Sequence, residues 1–107
     1  MSYREVTVDE LETLMGEGAP LVDVREPDEY ASGHVPGAVH VPRSAVAERV
    51  DDLGAMGTVY VICHSGGRSA HACDFLSRQG VDAVNVLGGT MAWAISGRAV
   101  IAGTSPT

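Results

Sequence analysis

Val59-Tyr60-Val61-Ile62-Cys63-His64-Ser65-Gly66-Gly67-Arg68-Ser69 is the stretch on which the fold turns. Its first four residues are a continuous apolar, β-prone run, which predicts a parallel strand covered on both faces and ending at Cys63. Beyond the glycines, Ser69, Ala72, Cys73 and Leu76 recur at i, i+3, i+4 and i+7, a helical stripe that needs a core to face. The loop therefore joins a strand's end to a helix's start. Open α/β sheets place ligands at that junction, where a helix N-terminus offers free N–H groups to an anion.

The residues of the loop suit an activated sulfur. Gly66 and Gly67 let the backbone carry several amides round toward the Cys63 sulfur, a cradle that favours thiolate over thiol. Arg68 adds a permanent positive charge and a planar fork of donors for an oxyanion. A thiolate so placed has a pKa well below the free value of about 8.5 and is a nucleophile at neutral pH. The plainer reading, a small buried cysteine ahead of an ordinary glycine turn, is outweighed by the whole constellation. Four residues separate Cys63 from Arg68, one fewer than in the Cys-x5-Arg loop of cysteine-dependent phosphatases. The tighter ring of amides fits one sulfur better than the oxygens of a phosphate.

Outward from the loop, strands and helices alternate. Toward the N-terminus, Glu5 and Val6 close a short strand, and Thr7 with Glu10 forms a capping box for a helix with Val8, Leu11, Leu14 and Met15 on its apolar face. Leu21-Val22-Asp23-Val24 reads as a buried strand whose carboxylate needs a partner; Arg25 or a loop N–H supplies it, in a structural role ahead of a catalytic one. Pro27, Asp28 and Glu29 suit the first turn of a short helix. Gly33, Pro36 and Gly37 lead by turns to a strand at Ala38–Val41, with His34 tying a turn by hydrogen bonds and His40 facing outward. Pro42 and Ser44 open an amphipathic helix carrying Val46, Val50 and Leu53. On the C-terminal side, Ala83–Val86 is a last strand, and Gly88-Gly89-Thr90 opens a helix with Met91 and Ile95 on one face and Trp93 beside it.

Three ordered motifs resemble the rhodanese family. They are the Cys63–Ser69 loop, the early stretch Asp23-Val24-Arg25-Glu26-Pro27-Asp28-Glu29-Tyr30 running to Gly33-His34-Val35-Pro36-Gly37-Ala38, and the late stretch Gly88-Gly89-Thr90-Met91-Ala92-Trp93. The resemblance spans about Asp23 to Gly97 and implies a three-layer α/β/α fold around a parallel sheet of four or five strands. It also implies a sulfurtransferase that takes a sulfane sulfur from a donor such as thiosulfate onto Cys63 as a persulfide. The acceptor is a thiol or, in an assay, cyanide, and a protein acceptor is possible. The amides of His64, Ser65, Gly66, Gly67, Arg68 and Ser69 would hold the sulfur, with Asp23 and Arg25 in support. Arg68 either contacts the donor's sulfonate or braces the loop against Asp23 or Glu26. His64, at a position variable in the family, faces solvent. From Gly97 the chain departs from the family pattern, so a loose tail is expected from about residue 98. A sulfur-carrying or partner-binding module without turnover is the main alternative. A phosphatase or arsenate reductase would want a longer loop and a general acid, and a mercaptopyruvate-specific enzyme a Cys-Gly-Ser-Gly-Val-Thr type of loop.

Composition narrows the classes further. At 107 residues the chain has room for one core, residues 1–107 forming a single domain, and no internal repeat is visible. The net charge of −7 argues against a nucleic-acid partner. That excess is N-terminal: nine acids and two arginines precede Tyr30, whereas five of each follow Glu29. Absence of lysine excludes Schiff-base chemistry, and four histidines without close spacing give no metal site, so no cofactor is expected. Two cysteines read as thiols, and with no apolar run of membrane-spanning length and no secretory pattern at the N-terminus, a cytoplasmic protein is the expectation.

Overall fold

In the computed structural model, which describes residues 2–107, five parallel strands form one sheet in the order β1-β5-β4-β2-β3. The strands are β1 (Arg4–Val6), β2 (Leu21–Asp23), β3 (Val39–His40), β4 (Val59–Ile62) and β5 (Ala83–Val86). The helices are α1 (Val8–Gly16), α2 (Pro27–Ser32), α3 (Val50–Gly54), α4 (Gly67–Arg78) and α5 (Gly89–Ile95). Central β4 is the apolar run read from the sequence, and all four of its residues are buried.

Strand alternation sorts the core into two layers. Tyr60 and Ile62 of β4 join Leu21, Val84 and Val86 against Leu11 of α1, Tyr30 of α2 and Trp93 of α5. Val59, Val61 and Cys63 point the other way, with Val22, toward Leu53 of α3 and Ala72, Cys73 and Leu76 of α4. Successive side chains of a strand face opposite ways, so a strand buried on both faces must be apolar at nearly every position. Each fully buried aliphatic side chain of this kind contributes about 1.5–3 kcal/mol. The sheet thus carries helices on both faces, the three-layer α/β/α arrangement expected from the sequence.

Local signals behave largely as read. Thr7 and Glu10 exchange the two bonds of a capping box, at 2.9 and 3.2 Å, and Pro27 begins α2. Three readings need correction. The segment after Pro42 is not one amphipathic α-helix: Arg43–Arg49 is a 3-10 helix, begun by the Ala45 N–H on the Pro42 carbonyl at 2.7 Å, and only Val50–Gly54 is α-helical. His40 does not simply face outward, because its Nε2 meets the Arg25 carbonyl at 2.8 Å and its ring stacks on Tyr30.

The third concerns the chain beyond residue 98, which is tied down. His34 and Ile101 exchange backbone bonds of 2.9 Å, the Gly37 N–H donates to Pro106 at 2.8 Å, and His34 Nε2 lies 2.8 Å from the Ser105 carbonyl. Just upstream, the Trp93 indole donates to Ala99, and the Arg98 guanidinium lies over the Trp93 ring while bonding Asp9 and Glu12. What the sequence does not reveal is that these bonds are made mostly by backbone, which any residue provides.

Candidate active site

Cys63 follows the last residue of β4, so its sulfur lies at the C-terminal edge of the central strand, where the chain leaves the sheet for α4. Gly66 adopts φ 109° as the residue before the helix, and this left-handed turn brings its N–H to 3.1 Å from Sγ. The Ser69 hydroxyl, in the first turn of α4, lies 3.3 Å from Sγ, and the residue is fully buried. Burial opposes charge on the thiol, but the Ser69 hydroxyl and the N–H groups of Ser69, Gly66 and Ser65 outweigh it and bring the Cys63 pKa below its ordinary value. Of the residues expected to frame the sulfur, Gly66 and Ser69 touch it, while His64 and Ser65 have exposed side chains. Gly67 is already helical with φ in the ordinary range, so only one of the two glycines is required by backbone conformation.

Arg68 does not reach into the loop. Its two terminal nitrogens close bidentately on Glu29 of α2, at 2.6 and 2.8 Å, the paired geometry that guanidinium and carboxylate favour. That fork holds Glu29 at a pKa of about 2 and pushes the Arg68 pKa up. Neither Asp23 nor Glu26 is its partner. Asp23 is instead clasped by Arg25: the guanidinium reaches both carboxylate oxygens at 2.9–3.1 Å, the Arg25 N–H adds a 3.0 Å bond, and both side chains are buried. Arg25 then extends to the Gly33 carbonyl at 2.7 Å, tying β2 to the turn after α2. Asp23 and Arg25 thus form a buried strut beneath the site, from which Arg25 also reaches the groove beside the loop.

Residues of the late motif clamp the loop from the other side. The first turn of α5 donates Thr90 N–H to the Cys63 carbonyl at 2.9 Å and Met91 N–H to the His64 carbonyl at 3.0 Å, with the Thr90 hydroxyl adding a bond at 3.1 Å. This approach leaves no room at Gly89, where a Cβ would lie 2.5 Å from both carbonyl oxygens. The sequence profile of the Rhodanese-like domain matches residues 7–96.

The chain belongs to the Rhodanese-like domain family. Among curated relatives, the protein named "Sulfurtransferase" from Allochromatium vinosum is 39% identical over 83 residues, covering 77% of this chain and 78% of its own. "Putative sulfur carrier protein YrkF" of Bacillus subtilis is 41% identical over 78 residues, 72% of this chain but only 42% of that protein. Among solved structures, a rhodanese-related protein from Thermoplasma volcanium superposes with a TM-score of 0.85 at 33% identity, covering 92% of this chain and 98% of that one.

The rhodanese-like loop opens beside a groove of about 420 Å³ lined by Glu29, His64, Thr90, Met91, Ile95 and Val100. Met91, Ile95 and Val100 are exposed, whereas Trp93 faces the core, so the apolar wall of this groove is a feature that helical periodicity did not reveal. Sequence reasoning also missed Glu29, Asn85 and Glu5. Asn85 of β5 accepts from the Ser69 hydroxyl at 2.6 Å and donates through Nδ2 to Glu5 of β1 at 3.0 Å. An asparagine in the middle of an apolar strand, Ala83-Val84-Asn85-Val86, was the signal that could have found it. Among the described residues no three His, Cys, Asp or Glu side chains converge as a metal site requires, and no helix is long and apolar enough to cross a membrane.

Proposed function

We propose that this rhodanese-like chain is a sulfurtransferase that carries a sulfane sulfur on Cys63. The Cys63 thiolate attacks the outer sulfur of a donor such as thiosulfate; the S–S bond of the donor breaks, sulfite leaves with its electron pair, and a Cys63 persulfide remains. An acceptor nucleophile, a cellular thiolate or cyanide in an assay, then attacks the outer sulfur and returns Cys63 as thiolate. The observation carrying this reading is the Gly66 N–H aimed at Sγ from 3.1 Å inside a loop that lowers the thiol's pKa. Amides of the His64–Ser69 segment hold the persulfide, and Arg68, closed on Glu29, braces the loop. Two unpaired thiols suit a reducing compartment such as the cytoplasm.

Steady-state turnover of thiosulfate and cyanide, beside a phosphate ester as control, tests the proposal. Thiocyanate formation that Cys63→Ser abolishes supports it; hydrolysis of the ester without sulfur transfer overturns it. A carrier reading is favoured by the name of the Bacillus subtilis relative. In that case mass spectrometry shows one sulfur added to the Cys63 peptide, passed to a protein acceptor, with little turnover on cyanide.

A further inference from the structure

Behind Cys63 runs a chain of side chains that sulfur transfer as described does not use. Glu5 of β1, Asn85 of β5 and Ser69 of α4 are linked in series, ending at the sulfur. The amide of Asn85 can be oriented from its surroundings. One end faces the Glu5 carboxylate at 3.0 Å and the Gly66 carbonyl at 3.3 Å, both acceptors, so that end is the NH2 group. The oxygen therefore faces Ser69, at 2.6 Å. A serine hydroxyl has one proton to give. It has two candidate acceptors here, Asn85 Oδ1 at 2.6 Å and Cys63 Sγ at 3.3 Å, and cannot serve both.

We propose that Asn85 is a positioning residue that draws the single Ser69 proton away from Cys63, making Ser69 a two-position donor that turns to the sulfur only when negative charge gathers on Sγ. With Cys63 as a thiol, its S–H donates to the Ser69 oxygen, whose own proton lies on Asn85. When the thiol ionises, or when an acceptor thiolate attacks the outer sulfur and the S–S electron pair returns to Sγ, the hydroxyl rotates and donates to the thiolate. No bond other than hydrogen bonds changes in that rotation. Once the next persulfide forms, charge moves to the outer sulfur and the hydroxyl returns to Asn85. Glu5, bonded to the far end of the amide, polarises it and strengthens Oδ1 as the competing acceptor. Asn85 is thereby a counterweight that keeps the sulfur from becoming too weak a nucleophile, while Ser69 assists its departure as leaving group.

The charged and titratable groups around Cys63 are few. From α4 come Arg68, neutralised by Glu29 of α2, and the Cys73 thiol; β1 contributes Glu5, β2 the closed Asp23–Arg25 pair, and His64 follows in the chain with an exposed ring. Ser69 is the hydroxyl bonded to the sulfur. The proposal deepens the sulfur-transfer reading and rests on Cys63 being its reactive sulfur. Alkylation reports on the thiol itself, so either idea can fail while the other stands.

The test is the pH dependence of iodoacetamide alkylation at Cys63, followed by peptide mass spectrometry, in the parent, Ser69→Ala, Asn85→Ala and the double variant. Ser69→Ala should raise the midpoint and Asn85→Ala should lower it, each by about one pH unit, a tenfold change in the thiolate-to-thiol ratio. In the Ser69→Ala background, Asn85→Ala should move the midpoint no further. An Asn85→Ala shift upward, or one of equal size with and without the Ser69 hydroxyl, overturns the proposal. If Asn85→Ala does not fold, the infrared S–H stretch of the Cys73→Ser chain decides. A band lowered relative to free cysteine means that the Cys63 S–H donates, as required. A band at the unbonded position overturns the idea.

Discussion

Two cysteines ten residues apart share one helix-and-loop unit yet have opposite surroundings. Amides and a hydroxyl meet the Cys63 sulfur, whereas burial, with the negative charges of Glu5 and Cys63 adding to it, pushes the Cys73 thiol up to about 12. Cys73→Ser should therefore transfer sulfur within about twofold of the parent rate, with a lower thermal midpoint because a hydroxyl enters an apolar layer. A tenfold loss of rate in the folded variant would make Cys73 part of the chemistry. Two glycines, one from each Gly-Gly step of the site, separate in the same way. Gly89, at φ 59° with two carbonyls in the way of a Cβ, should not accept alanine, and a loss of about 3 kcal/mol or more is expected in chemical denaturation of Gly89→Ala. Gly67 has open space around its Cβ direction and lies in a helix, so Gly67→Ala should be neutral or stabilising by up to about 1 kcal/mol.

At the scale of elements, α2 and α4 are joined across the loop by Glu29 and Arg68. Glu29 has a folded pKa near 2 against an ordinary 4.5, so its ionised form is favoured by folding. The stabilisation from this pair is complete above the ordinary carboxylate range and disappears as the pH falls through it toward 2. Both side chains are about a third exposed, and water screening keeps the worth of such a pair to about 1 kcal/mol. Glu29→Gln should melt below the parent at neutral pH, and thermal scans down to pH 2 should show the two curves converging. A gap that persists at pH 2 would mean that packing, not charge, is what Glu29 contributes. Elements of this kind were legible where the signal was local. The β4 run, the Thr7–Glu10 box and the Asp23–Arg25 contact each lie within a few residues and follow from propensity and charge neutralisation. Arg68–Glu29 spans 39 positions and Ser69–Asn85 spans 16, and such partners are chosen by strand order, which periodicity does not encode. The apolar exposure of Met91 and Ile95 escaped notice for the same reason: a short stripe shows that a helix has a face, not which face the sheet will take.

Across the whole molecule, the segment 99–107 closes the face that carries α2 and α5. Removing residues 100–107 would take from buried His34 the Ile101 pairing and the Ser105 carbonyl, leaving polar groups unmatched in the interior. Such a truncation should lower the thermal midpoint by roughly 5–10 °C; an unchanged melt would show the segment to be ornamental. The sheet order has a different consequence, one of timing. Strand β1 is an edge whose neighbour is β5, the last strand of the chain, so Glu5 meets Asn85 across 80 positions. During synthesis the first strand waits without a partner until the last has emerged. Closing so long a loop is entropically expensive and gives no reward before the contact is made. Docking of β1 is then a late event on the folding route. Val6→Ala should accelerate unfolding while hardly changing the refolding rate, a chevron with only its unfolding arm displaced. The carboxylate at the back of the sulfur site, although made early, thus docks only once β5 has joined the sheet.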